Sequence, residues 1–249
     1  MRQPRSGRKG PSHIRHRSAR PFVAATFAMT VDGKITTKNF TPVDFTSRED
    51  KMHLLRQRAL GDAVLIGHST LKQDNVRLGL PHPELREARI ARGQAPCPLR
   101  VIVSNEGRID SGLKIFQSDP AKAGPIIIFS TLRMPSRHQK LLRQKATLHL
   151  SDAPSVDLGW MLEQLRREYQ VRSVACEGGA TLFRALLEGD LVDQLNLTIA
   201  PYMFGGENAP TLTGLSKDFF PRSIRCSLTD MRIVGEECFL TYRIKHRRR

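Results

Sequence analysis

Residues 171–199 read VRSVACEGGATLFRALLEGDLVDQLNLTI, and their order decides the fold. VRSVAC (171–176) is a short apolar strand, EGGATLFRALLEG (177–189) is a glycine turn feeding a helix, and LNLTI (195–199) alternates like a second strand. A strand, a helix and a strand in that order make a crossover unit, the building block of a parallel sheet. Glycines at such a junction let backbone N–H groups approach a phosphate, and the helix N-terminus adds favourable positive potential. The same glycines also suit a tight turn that needs positive φ and binds nothing. Spacing alone leaves both readings open.

The pattern repeats on either side. FVAATFAM (22–29) reads as a buried first strand, followed by an Asp32-Gly33 turn. Ser47 and Asp50 resemble a capping box, although Glu or Gln is usual at the third position. Behind that cap Met52, Leu55, Ala59 and Leu60 recur at helical spacing, and Gly61 ends the run. AVLIG (63–67) is a continuous apolar strand of the kind found in sheets covered on both faces. It opens a second turn, Gly67-His68-Ser69-Thr70-Leu71, in which Thr70 either meets a cofactor or caps the next helix. His68 reads as exposed or locally satisfied. Residues 79–98 are rich in proline and charge and read as an excursion between elements. Strands at 100–104, 125–130 and 146–150 follow, then a helix carrying Val156, Trp160, Leu162 and Leu165. SLTDMRIV and CFLTYRI close the chain as a hairpin around Gly235. The predicted class is α/β, a three-layer and mostly parallel sheet with an antiparallel C-terminal hairpin.

Composition narrows the function classes. The 249 residues include 40 Lys+Arg against 24 Asp+Glu, a formal net charge of +16. Residues 1–20 hold seven of those basic groups and residues 243–249 hold five, leaving 28 against 24 between them. The expected organisation is a basic disordered arm (1–20), one domain (21–242) and a basic tail (243–249). The tails can bind polyanions weakly, nonspecifically and in a salt-sensitive way. No apolar run reaches the length of a membrane span and no signal-peptide core follows the basic start, so a cytoplasmic, non-membrane protein is expected. Four scattered cysteines make no disulfide framework. No G-x-G triplet occurs, so the Rossmann fingerprint is absent, and the P-loop pattern is absent as well. His82-Pro83-Glu84 with Pro96-Cys97 superficially matches a zinc deaminase, but position 100 is Arg where a ligating Cys is needed, and no metal site is expected.

Three stretches, FAMTVDGKI (27–35), LLRQRALGDAVLIGHSTLKQDN (54–75) and VACEGGATLFRALLEGDLVDQLNLTIAPYMFGG (174–206), resemble the RibD C-terminal family, the reductase domain of riboflavin biosynthesis. The resemblance runs from about Pro21 to Arg243 and implies a dihydrofolate-reductase-like fold. It implies an NADPH-dependent reduction of a ribosylamino-pyrimidinone 5′-phosphate, a 5-amino-6-(5-phosphoribosylamino)uracil reductase-like activity, with the hydride going to the ring-opened ribosyl imine. Ala28, Thr70, Ser104, Gly178, Gly179, Ala180, Thr181, Leu182 and Phe183 are then the cofactor-binding residues. Arg56 and Glu177 would meet the substrate, Arg56 at its phosphate, and Asp74 would lie at the hydride-transfer centre. Asp74 is either the proton source or a carboxylate that only orients the cofactor. The family also implies a homodimer built on the sheet's edge and its long C-terminal strands.

Departures from the family pattern fall on the substrate side. Where relatives show Asp-Asp-Pro-x-Leu-Thr-x-Arg, this chain has Asp74-Asn75-Val76-Arg77-Leu78-Gly79-Leu80-Pro81, so the downstream arginine is missing and Arg77 is the nearest substitute for it. The usual Trp-Ile-Ser/Thr reads Phe45-Thr46-Ser47. Two alternatives therefore stand beside the leading reading. One is a reductase of a different pterin or carbonyl substrate; the other is a nucleic-acid-binding protein that uses its basic tails.

Overall fold

The computed structural model describes residues 20–36, 45–119, 123–214 and 219–246. The arm at 1–19 and the last three residues of the tail lie outside the described residues. Nine strands form one sheet: β1 (Phe22–Thr30), β2 (Ala63–Gly67), β3 (Leu99–Ser104), β4 (Ile126–Thr131), β5 (Thr147–Ser151), β6 (Ser173–Cys176), β7 (Gln194–Ala200), β8 (Cys226–Val234) and β9 (Glu237–Ile244). Their order is β5-β4-β3-β2-β6-β1-β7-β9-β8. The first seven in that order run parallel, and β9 and β8 add antiparallel at the end. The three-layer architecture and the terminal hairpin expected from the sequence are both present.

Strands buried on two faces explain the continuous apolar runs. In β2, Ala63 and Leu65 join a core with Val23, Ala25, Val101 and Phe129, while Val64 and Ile66 join a second core with Ile102, Ile128 and Leu71. The first core is roofed by α5 (Leu158–Glu168), through Met161, Leu162 and Leu165, and by α6 (Ala180–Glu188), through Leu182, Phe183 and Leu186. On the other face lie α1 (Arg48–Leu60), α2 (His68–Asp74), α3 (Pro83–Ala91) and α4 (Ser136–Leu142). Ser47 caps α1 as its sequence suggests, its Oγ accepting from the backbone N–H of Glu49 at 3.1 Å and of Asp50 at 3.2 Å.

Three details differ from the sequence reading. Residues 79–98 contain a helix, α3, started by Pro83 at its first turn. Its inward residue is Arg89, 1% exposed, whose guanidinium donates to the carbonyls of Ala59 (2.9 Å), Gly61 (2.5 Å) and Ala95 (2.8 Å). The last carbonyls of a helix have no intrahelical partner, so Arg89 closes the C-terminal end of α1. Leu60 is 53% exposed and stands off the stripe it was expected to join; Arg58 is buried instead. The final strand ends at Ile244, 5% exposed, where the CFLTYRI reading ends it, so the domain boundary expected at residue 242 falls inside the strand.

Candidate active site

The site begins with a length mismatch between strands. β6 pairs with β1 only over Phe22–Ala25, whereas β7 follows β1 all the way to Thr30. The central strand therefore stops at Cys176, and a notch opens between the upper part of β1 and the end of β2. Gly178 and Gly179 occupy it, joined by a cis peptide bond. The Glu177 N–H donates to the Leu65 carbonyl at 3.0 Å, and the Gly67 N–H donates to the Gly178 carbonyl at 2.9 Å, so the turn continues the β2 ladder. Gly178 has φ +110°, a conformation L side chains rarely adopt, and it sits against the Phe27 ring. At Gly179 a Cβ would collide with the Thr70 hydroxyl. These two positions need glycine for different reasons, one conformational and one steric.

Gly179 is also the N-cap of α6, and among the described residues no side chain caps that helix. The Phe183 N–H is already bonded to the Gly179 carbonyl at 2.9 Å, but the N–H groups of the first turn face the notch without an intrahelical partner. Backbone donors, a helix N-terminus and glycines that allow close approach together suit a phosphate group. Phe183 packs inward on Phe27 with ring centroids 4.8 Å apart, fixing the helix start against β1.

α2 forms the opposite wall. Thr70 and Asp74 are one turn apart and share a face, so Asp74 lies one turn beyond the residue that touches the glycine turn. The Asp74 side chain reaches solvent, yet desolvation by the surrounding protein raises its carboxyl above the usual carboxylate range. His68 begins the helix with Nδ1 3.4 Å from the Ser104 Oγ. Burial lowers the His68 pKa and nearby Lys72 lowers it further, which keeps the ring neutral near pH 7. Ser104 is buried at the end of β3 and accepts from the Gly107 N–H at 3.1 Å.

Beneath α1 the sheet turns polar. Thr26, Ala28, Asn196 and Thr198 share one face of β1 and β7, with Ala28 and Thr198 in register. The Asn196 amide donates to Thr26 Oγ1 at 3.2 Å and to Gln57 Oε1 at 3.1 Å. The buried Thr198 hydroxyl has no partner among the described residues. At the mouth, Asp32 accepts from the Thr30 hydroxyl and from the N–H groups of Phe204 (3.2 Å) and Gly205 (2.7 Å). The Thr30 hydrogen bond chiefly holds its carboxyl below the usual range. The FAMTVDGKI stretch thus ties the end of β1 to the loop after β7.

Two arginines on α1 part company. Residues two apart on a helix do not face each other. Arg58 points inward and binds both Glu177 oxygens, Nε to Oε1 and Nη2 to Oε2, each at 2.7 Å, and its Nη1 donates to the Gly79 carbonyl at 2.6 Å. The two side chains are 10% and 6% exposed. Burial alone would lower the Arg58 pKa, but the Glu177 carboxylate holds it above its ordinary value. Arg56 points outward, 49% exposed, bound to Glu49 at 2.7 Å, and Glu49 also meets Arg232 at 3.3 Å. Arg77 is exposed. The structure therefore brings Thr70 and the 178–183 turn together at the notch, with Asp74 exposed one helical turn beyond Thr70. It sets Ala28 on the α1 side of β1, places Ser104 two strands away, and keeps Arg56 and Arg77 at the surface.

The model of the RibD C-terminal domain matches residues 21–239. This chain belongs to that family. It is 30% identical over 224 residues to the 2,5-diamino-6-ribosylamino-4(3H)-pyrimidinone 5′-phosphate reductase of Archaeoglobus fulgidus, covering 90% of this chain and 98% of the relative. It is likewise 30% identical over 229 residues to the Methanothermobacter thermautotrophicus protein of the same name, covering 91% and 99%. Among solved structures, a pyrimidine reductase-like protein from Corynebacterium diphtheriae superposes with a TM-score of 0.78 at 20% identity, covering 91% and 93% of the two chains. Within this RibD C-terminal domain, Arg58, Gln57, Asn196 and Thr198 escaped the sequence reading. One signal for Arg58 was available: it follows Leu54 and Leu55 at four- and three-residue spacing, on the side where a helix turns inward.

Proposed function

We propose that this chain is an NADPH-dependent reductase of a 2,5-diamino-6-ribosylamino-pyrimidinone 5′-phosphate, converting the ribosylamino group to a ribitylamino chain in riboflavin biosynthesis. The observation that carries the reading is the glycine turn in the notch beyond β6, backed by an uncapped helix N-terminus. Gly178 to Phe183 would hold the pyrophosphate, with Thr70 at their side, Ala28 towards the nicotinamide and Ser104 towards the adenosine. NADPH, when bound, supplies the hydride. The chain's own work is to hold the pyrimidine's side chain against the reactive face and to exclude water from it. Asp74 is suited to deliver the proton, because its raised pKa leaves a larger protonated fraction near neutrality than an ordinary aspartate has. Arg56 and Arg77 keep surface guanidinium groups able to grip a substrate phosphate.

A homodimer and a cytoplasmic location go with this reading. β8 is an edge strand with Leu228, Met231 and Ile233 between 51% and 67% exposed, an apolar strip that a second copy would cover. Among the described residues no helix is long and apolar enough to cross a membrane. The deciding experiment follows NADPH oxidation with the diamino-pyrimidinone ribosyl phosphate, its deaminated uracil counterpart and dihydrofolate as parallel substrates. Turnover of the first supports the reading, and turnover confined to dihydrofolate overturns it. Sedimentation of the wild type beside Met231→Lys tests the dimer.

A further inference from the structure

We propose that the rim of the sheet opposite the notch binds single-stranded nucleic acid, in one site formed jointly by the strand ends there and the two basic segments, 1–20 and 243–249. This goes beyond the reductase reading and does not depend on it. The notch lies where β1, β2 and β6 end. The opposite rim carries the starts of β6, β1, β7 and β8 and, because it runs antiparallel, the end of β9. These five strands are neighbours, so their rim is about 19 Å wide at the usual spacing of about 4.8 Å between strands. Arg172 precedes β6, Arg225 precedes β8, and Arg243 and Lys245 stand at the end of β9; all four are exposed. They form a row of cations across the rim, the arrangement that tracks a phosphate backbone.

One carboxylate gathers both basic segments to this rim. Asp193, just before β7, accepts from the two arms of the Arg20 guanidinium at 2.8 and 3.1 Å and from the Val23 N–H at 2.7 Å. His246 Nε2 lies 2.7 Å from the same carboxylate, and its Nδ1 lies 3.1 Å from Asp190. Residues 1–19 and 247–249 are therefore attached at neighbouring points, and two weak arms so joined act on one ligand at high effective concentration. The same bonds engage Asp190 and Asp193, acids that would otherwise repel phosphate. Asp62, the carboxylate beside Arg172, is engaged by the N–H groups of Arg172 at 2.8 Å and Ser173 at 3.1 Å. Of the seven basic residues in 1–20, six lie outside Arg20, and three arginines follow His246, with no acid in either segment.

The side chains favour nucleic acid over other anionic partners. Ten of the twelve basic residues in the two segments are arginine, which forks onto phosphate and stacks on bases, where lysine offers only a point charge. Arg243 is held over the Phe22 ring, 5.1 Å from its centroid, and stays exposed, a guanidinium of the kind on which bases stack. Residues 1–20 include only Met1, Ile14 and Ala19 as apolar side chains, so they lack the apolar face with which a basic segment enters a lipid surface.

The test titrates the full chain with labelled oligo-U and oligo-dT of about twelve nucleotides, between about 50 and 200 mM salt. Polyphosphate and phosphatidylglycerol vesicles of equal charge are the comparison ligands. The variants are a deletion of 1–19, a deletion of 247–249, and Arg172→Gln/Arg225→Gln, with thermal unfolding as the control for the fold. The expected result is one oligonucleotide per chain, with Kd at low salt raised about tenfold or more by each of the three changes. At about 0.7 per phosphate contact, the salt slope should flatten by up to about 4 without 1–19 and by about 2 without 247–249. Tighter binding of oligo-U assigns the site to RNA and tighter binding of oligo-dT assigns it to DNA, and either result supports the proposal. If Arg172→Gln/Arg225→Gln binds as wild type does, the segments act as loose polycations and no joint site exists. Polyphosphate or vesicles bound as tightly as the oligonucleotides would make the partner a different one and overturn the proposal. Displacement of the oligonucleotide by NADPH would put it in the notch, and overturn the proposal as well.

Discussion

Replacing Gly179 by alanine should damage this protein through one atom. The backbone at Gly179, φ −84° and ψ −177°, is open to any residue, so no conformational strain arises. The added methyl instead meets the Thr70 hydroxyl inside contact distance, while the Thr70 Cβ behind it sits at an ordinary 3.6 Å. Thr70 escapes only by leaving its rotamer, and overpacking of this kind costs about 1–3 kcal/mol. Thr70→Ala removes the colliding atom, so Gly179→Ala/Thr70→Ala should recover at least about 1 kcal/mol relative to the sum of the singles. For a chain of this size that coupling moves the melting temperature by roughly 2–4 °C. Gly178→Ala is the control. Its cost of about 1–3 kcal/mol comes from φ +110°, with neighbours no nearer than 3.6 Å, and Thr70→Ala should not relieve it. Urea unfolding of the six proteins, including wild type and Gly178→Ala/Thr70→Ala, gives both couplings. If Gly179→Ala and Thr70→Ala add to within about 0.5 kcal/mol, the steric account of this glycine is wrong.

Asp74→Asn should lower kcat with little change in NADPH affinity. Because folding raises the Asp74 pKa, its contribution to stability is full below the ordinary carboxylate range and lost as pH rises through the folded value. The variant should therefore melt no lower than wild type at pH 7, read by scanning calorimetry at pH 4 and pH 7. Burial pushes Asp193 upward, but Arg20, the Val23 N–H and His246 outweigh it and hold its carboxyl low. Its contribution is then present above the ordinary carboxylate range and lost as pH falls through the folded value. Arg20→Ala should flatten the acid limb of a stability-versus-pH curve. A chain trimmed to residues 20–246 should keep kcat and KM while losing salt-sensitive binding to heparin, whereas ending at Tyr242 removes the buried Ile244 and should destabilise the sheet. Arg56→Ala should raise the KM for a phosphorylated pyrimidine with unfolding changed by less than about 0.5 kcal/mol, as expected of an exposed side chain.

The parts of the fold legible from sequence are those in which local pattern and burial agree. AVLIG is apolar throughout because both faces of β2 are covered, and Ser47 announces α1 because a hydroxyl is what its first turn needs. α3 was hidden because its inward position is Arg89, whose charge is satisfied by carbonyls from another helix, and no periodicity analysis counts arginine as core. Arg58 was hidden for the same reason, its carboxylate partner lying 119 residues away. The 178–183 turn was visible as glycine chemistry. Which side chain faces it was not: Thr70 and Gly179 meet only because β2 and β6 are neighbours, an order fixed by the whole sheet.

That order has a consequence for how the chain folds. β1 is made first, yet its partners are β6 and β7: Phe22 lies opposite Ser173, and Ala24 opposite Gln194. For most of synthesis it is a strand with two bare edges, and neither can be satisfied until the C-terminal third has emerged. Contacts so distant along the chain close late and slowly, because the entropy of the intervening loop is lost before any pairing compensates for it. β2, β3, β4 and β5 have no such wait, since each lies beside the next and can assemble as a parallel block on its own crossover helices. The half of the sheet that carries the notch is therefore the half completed last.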